Sequence, residues 1–229
     1  MYRLVIANRN YSSWSLRAWL YLAESGVPFE EIRIPLFTGG WESAVARYSP
    51  SGRVPVLLDG DLAVWDTVAI IDHVREKHPE AVGWPEDPAA RALARSITAE
   101  MHSGFFALRD ELPQNLRARN PVDPAALSET CRQQVARIDR IWTGCRERFG
   151  TGGDWLFGDF SIADVFYAPV ALRFVTYSID VSERAQEFMD AVTGTGSVQQ
   201  WIAAARLESE SLPFIDQRMP AEISPLILG

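Results

Sequence analysis

The chain has 229 residues, 47% of them hydrophobic, enough for one large domain or two small ones with real apolar cores. Its 22 basic and 30 acidic residues leave a formal charge of -8, which excludes the basic footprint of a nucleic-acid binder. No apolar run approaches the roughly 20 residues of a membrane helix, and the run after Met1 is too short for a signal peptide, so a cytoplasmic protein is expected. The two cysteines, Cys131 and Cys145, fall in one predicted helix, where 1.5 Å per residue separates them by roughly 20 Å. They cannot pair there, and two buried, inert thiols are expected.

In chain order, "RLVIA" (3–7) is apolar and β-branched and reads as a strand. "NRNYSSWSLRAWL" (8–20) then places three serines before Leu16, Trp19, Leu20 and Ala23, which recur at helical spacing until Gly26. A serine at a helix start caps orphan N–H groups, and the same amides and dipole favour an anion. "FEEIRIP" (29–35) alternates as a half-buried strand, so the chain begins βαβ with a right-handed crossover. "VPVLLDGDLAVW" (54–65) carries two apolar runs around Asp59-Gly60-Asp61, a hairpin signal. Val68, Ile71 and Val74 continue as a helix until Pro79 ends it. The segment between the second strand and the hairpin reads as irregular or helical.

"PEAVGWPEDPAA" (79–90) is dense in proline and glycine and reads as a linker. Beyond it strand signals disappear. Helices fit Pro88 to Leu112, Pro124 to Phe149, Ile162 to Phe174, Ser182 to Val192 and Val198 to Leu207, an all-α bundle. Within it "GDFSIADVFYAPV" (158–170) carries a capping box, Ser161 with Asp164, and "GTGGD" (150–154) is a loop.

This order of elements resembles the cytosolic glutathione transferases, over nearly the whole chain from Arg3 to Leu207. The resemblance implies the glutathione transferase fold: an α/β thioredoxin-like N-terminal domain over 1–80, a linker over 81–88, and an all-α C-terminal helical bundle over 89–229 that forms the acceptor pocket. "RVPVL" looks like the family's segment with a cis proline, so that Arg53, Val54 and Pro55 would hold the cysteinyl unit of glutathione through the Val54 backbone. "WDTVAII" resembles the acid-hydroxyl pair for the γ-glutamyl end, here Asp66 and Thr67, where relatives more often carry Glu or Gln before Ser. As plain residues, Asp and Thr are also ordinary N-caps.

"SSWS" is similar to the start of the first helix in serine-type, zeta-like members. Ser12 takes the position of the catalytic serine, with Ser13 and Ser15 as competitors, and Trp14 stands where many relatives have a small residue. A thiol of pKa about 8.5 is mostly protonated at neutral pH, and a hydroxyl donor backed by a helix N-terminus favours the thiolate. Met101 and Phe105 lie on the helix that faces the sulfur in this family and are candidate acceptor contacts, although an apolar stripe more often means core. His102 is a lone histidine of the kind that is usually structural.

No Gly-x-Ser-x-Gly elbow, phosphate-binding loop or helical zinc pair is present, so hydrolase and metalloenzyme readings lack support and no metal is expected. The resemblance implies a homodimer that joins glutathione, as co-substrate, to an electrophilic small molecule in detoxification. A glutathione-dependent isomerase resembling maleylacetoacetate isomerase, or a non-catalytic binding or stress module, are the alternatives.

Overall fold

The computed structural model of the chain describes residues 1–216 and 222–223. β1 (Tyr2–Ile6) leads into α1 (Ser13–Glu24), β2 (Phe29–Arg33) and a short α2 (Trp41–Ala46). β3 (Val56–Asp59), β4 (Leu62–Trp65) and α3 (Thr67–Lys77) complete the first unit. The strand order is β2-β1-β3-β4, with β1 and β2 parallel and the other neighbours antiparallel. The expected βαβ start and hairpin are both present, and Gly60 takes the positive φ of +61° that the tight turn requires.

Strand alternation sorts the side chains between two cores. Tyr2, Leu4, Ile6 and Leu57 join α1 and α3 in the large core, while Val5, Val56 and Leu58 meet Ile34 and Val45 on the other face. A one-residue register slip would exchange the two sets, so the pattern fixes the pairing.

The second unit contains α4 (Pro88–Ser103), α5 (Phe106–Glu111), α6 (Glu129–Phe149), α7 (Ile162–Tyr177), α8 (Glu183–Gly194), α9 (Gly196–Arg206) and a last turn, α10 (Pro213–Asp216). α7 is buried nearly all round, as an apolar helix at the centre of a bundle must be. The large core runs without interruption from β1 and α1 through α7 to α9, so the two units share one apolar interior.

Three expectations are corrected. The single helix expected from Pro88 to Leu112 is two helices, broken where Phe105 adopts φ +59°. The Arg109 side chain satisfies the freed end of α4 by donating to Gly104 O (3.0 Å) and to Met101 O. Gly104 is needed there, because a Cβ would lie 2.8 Å from Glu100 O. Before α6, Pro124–Ala126 form a 3-10 turn and Ser128 supplies the cap, its Oγ accepting from Cys131 N at 3.1 Å. The bundle also carries a two-residue ladder, β5 (Ala118–Arg119) with β6 (Glu222–Ile223), too short to leave a sequence signal. Cys131 and Cys145 are buried and unbridged, and burial pushes their thiols up to about 11 and about 12.

The cap of α7 is a buried carboxylate with three donors. The Asp164 carboxylate, wholly buried, accepts from Ser161 N (2.8 Å), Ser161 Oγ (2.7 Å) and Leu156 N (3.0 Å). Asp164→Ala strands these three donors and should lower the unfolding free energy by about 3 kcal/mol in urea titrations. An unchanged midpoint would show that water replaces the carboxylate.

Candidate active site

The site is built on two helix starts. The loop 8–12 carries the chain from β1 into α1, folding back so that Ser12 N donates to Asn8 O at 2.9 Å. Its other anchors come from far along the chain. Glu208 accepts from Arg9 N (2.8 Å) and Asn10 N (3.1 Å), Asn10 Nδ2 donates to Asn115 Oδ1 (2.8 Å), and Tyr11 Oη donates to Asp216. Arg117 ties the same strap down through Tyr11 Oη and the carbonyls of Glu208 and Glu210. None of these long-range partners is readable from the local sequence.

Ser12 is the N-cap of α1. Its Oγ accepts from Ser15 N (3.2 Å) and meets Ser15 Oγ at 2.8 Å, and Ser15 Oγ in turn accepts from Ala7 N at 3.0 Å. Ser12 is half-buried, whereas Ser15 is wholly buried. Ser13 is only 5% exposed, and its Oγ accepts from Arg173 Nη2 at 3.2 Å. Of the two serines, Ser12 therefore keeps access to solvent while Ser13 is enclosed.

The second helix start is that of α3. Asp66 caps it, accepting from Val68 N at 2.9 Å, in a backbone conformation of φ +73°. Such strain in a non-glycine residue costs about 1–3 kcal/mol and marks positions where geometry serves function. Thr67 is wholly buried, and its hydroxyl has no hydrogen-bond partner among the described residues. Immediately before β3, the Val54–Pro55 bond is cis, and no backbone hydrogen bond engages Val54 among the described residues. Arg53 is exposed, its main chain held by the Ser49 hydroxyl at both N (3.0 Å) and O (2.6 Å).

His102 links the two starts. Its Nε2 lies 3.5 Å from Asp66 Oδ2, and its ring meets Trp14 edge-on with centroids 5.3 Å apart. Met101 and Phe105, expected at the acceptor pocket, lie instead inside the continuous core, Met101 fully buried and Phe105 at 6% exposure. The helical turn points them inward, and His102 and the exposed Phe106 beside them face outward.

The electrostatics come from three arginines that the sequence did not single out. Arg17 is wholly buried, donates through Nε to Phe166 O (3.0 Å), and lies over the rings of Trp14 and Phe166. Both of its terminal nitrogens lack partners, as do Nε and Nη1 of Arg173, among the described residues. Arg109 stacks on the same Trp14 ring. Burial, and then repulsion from Arg109 and Arg173, holds the Arg17 guanidinium well below its ordinary range, and burial lowers Arg173 to about 9. A guanidinium keeps its proton, so this pocket of positive charge is one that an anion would relieve.

Comparison with known proteins gives the family. A model described as "Glutathione S-transferase, N-terminal domain" matches residues 11–77, and one described as "Glutathione S-transferase, C-terminal domain" matches 87–204. The chain belongs to the glutathione S-transferase family. Glutathione S-transferase Z2 of Arabidopsis thaliana is 27% identical over 164 residues, covering 69% of this chain and 70% of that protein. The maleylacetoacetate isomerase of Pseudomonas aeruginosa is 28% identical over 165 residues, covering 69% and 75%. A crystal structure of a glutathione transferase homolog from Burkholderia, with bound glutathione, superposes with a TM-score of 0.65 at 24% identity, covering 90% of this chain and 98% of that one. These matches identify a zeta-like member of the family, an enzyme with the glutathione transferase fold. Among the described residues no group of three or more acidic, histidine or cysteine side chains is placed to hold a metal, and no helix is long and apolar enough to cross a membrane.

Arg17 gives a direct test of this family member's electrostatics. Taking a charge out of water with no counter-ion costs several kcal/mol, a cost that an apolar side chain of similar length does not carry. Arg17→Met should therefore leave the thermal midpoint unchanged or raised, while activity falls. A large loss of stability would assign Arg17 to holding the domains together.

Proposed function

We propose that this enzyme is a serine-type glutathione transferase that binds glutathione between the loop 8–12, the segment 53–55 and the start of α3. In this reading the Val54 backbone pairs with the cysteinyl unit, Asp66 and Thr67 take the γ-glutamyl end, and the Ser12 hydroxyl donates to the sulfur. The thiolate then attacks an electrophilic small molecule. The observation that carries the reading is the convergence of two capped helix starts, with the accessible Ser12 hydroxyl at one and strained Asp66 at the other, bridged by Trp14 and His102. The unpartnered Thr67 hydroxyl and the unengaged Val54 backbone support the same placement.

Lowering a thiol pKa by about two units needs about 2.7 kcal/mol of preferential thiolate stabilisation. A charge-assisted hydrogen bond and a helix N-terminus supply that together. Ser12→Ala should accordingly lower conjugation at neutral pH at least about tenfold, near 1.4 kcal/mol, with little change in glutathione affinity. If Ser13→Ala causes the loss and Ser12→Ala is silent, the donor is misassigned. Asp66→Ala should weaken glutathione binding in calorimetry more than it weakens the fold, and equal affinities would reduce Asp66 to a cap.

A second reading is supported by the arginines beside Ser13: a glutathione-dependent isomerisation of an acceptor that carries a carboxylate, in which the thiol adds and then leaves. Turnover of a cis-enone acid without net consumption of glutathione, against weak activity on neutral aryl halides, favours it over conjugation. In either case we place the enzyme in the cytoplasm as a homodimer. The apolar side chains Leu62, Trp65 and Val68, 52%, 46% and 38% exposed on β4 and α3, support such an interface. Light scattering at micromolar concentration should report twice the chain mass, and a monomer would count against it.

A further inference from the structure

The bond between Ser12 and Ser15 carries a role for a residue that no substrate can touch. We infer that Ser15 is a positioning residue, which acts through Ser12 to turn the Ser12 proton toward the glutathione sulfur. The inference rests on the glutathione reading above and goes beyond it.

Ser15 is wholly buried one turn into α1, facing β1. Its oxygen receives the Ala7 N–H at 3.0 Å and lies 2.8 Å from Ser12 Oγ. Those are the only hydrogen bonds to its side chain among the described residues. Ser12 donates to Ser15, which uses the Ser12 proton and leaves the Ser15 proton without an acceptor among the described residues. Reversing that one bond changes both. Ser15 then donates to Ser12, and Ser12 Oγ, already accepting from Ser15 N at 3.2 Å, is free to donate outward.

The reversed chain runs from Ala7 N–H to Ser15, from Ser15 to Ser12, and from Ser12 to sulfur, every hydroxyl both accepting and donating. Hydrogen bonds in such a chain polarise one another, so two donors onto Ser12 strengthen its own donation. The thiol S–H bond breaks, its proton goes to water and its electron pair stays on sulfur. Both serine O–H bonds remain intact and only rotate. A neutral thiol needs this donor less than a thiolate does, so the switch favours the ionised form.

A purely structural role for Ser15, satisfying Ala7 N–H, predicts lost stability with unchanged ionisation. The ultraviolet absorption of the bound thiolate across pH separates the two. In Ser15→Ala the thiol pKa in the complex should rise by about one unit, matched by a roughly tenfold rate loss below it, with the glutathione Kd within about twofold of wild type. Because Ser15 acts through Ser12, the double variant Ser12→Ala, Ser15→Ala should be no slower than Ser12→Ala alone. Ser15→Cys, which keeps the size and offers a weaker donor, should fall between wild type and Ser15→Ala and serves if the alanine variant does not fold. An unchanged thiol pKa in the variants, or additive losses in the double variant, overturns the relay while leaving the glutathione reading intact. A wild-type protein that binds glutathione without ionising it, or does not bind it, overturns that reading and the relay with it.

Discussion

The constraint on which the molecule turns is that α1 is enclosed by both units, with every residue from Ser15 to Leu22 buried. It packs against β1 and α3 of its own unit and against α7 and α9 of the helical unit. A helix so enclosed has no face left for polar residues, yet α1 carries Ser13, Ser15 and Arg17, all of them buried. Each needs a partner, since a buried polar group left unpaired costs about 1–3 kcal/mol. Ser15 finds Ala7 N–H, Ser13 finds Arg173, and Arg17 finds the Phe166 carbonyl and two aromatic faces.

The Ser13 and Ser15 oxygens each accept a hydrogen bond, but the guanidiniums of Arg17 and Arg173 keep N–H groups without acceptors among the described residues, and no carboxylate acts on either. Positive charge is thus concentrated behind the start of α1, where the helix dipole already favours an anion. Stability and charge are opposed there: the buried Arg17 guanidinium carries a desolvation cost with no counter-ion to offset it, and in the proposed function its charge faces a thiolate or carboxylate.

The same loop depends on the far end of the chain. Glu208 and Asp216, near the end of the described chain, hold the main chain of Arg9 and Asn10 and the hydroxyl of Tyr11. The helical unit therefore contributes to the geometry of Ser12. This explains how a short loop, closed on itself only where Tyr11 N and Ser12 N both donate to Asn8 O, keeps a defined path into the helix.

Strands β1 to β4, the hairpin at Gly60, the capping box of Ser161 and Asp164, a serine cap on α1 and an Asp or Thr cap on α3 were legible in the sequence. Each depends on neighbours a few residues away, and local spacing encodes such contacts. The family was legible for the same reason, because "SSWS", "RVPVL" and "WDTVAII" keep their order and separation. The break between α4 and α5 was not legible, since the pattern stays helical through Gly104 and only the Arg109 side chain, folding back onto the end of α4, makes the break stable. Nor was the inward turn of Met101 and Phe105, which depends on which side of the helix meets the core. The arginine cluster, the link from His102 to Asp66 and the strap at Glu208 join residues 36 to 199 positions apart. Periodicity carries no information over such distances, and only the packing of α1 against α7 brings those charges to the serines.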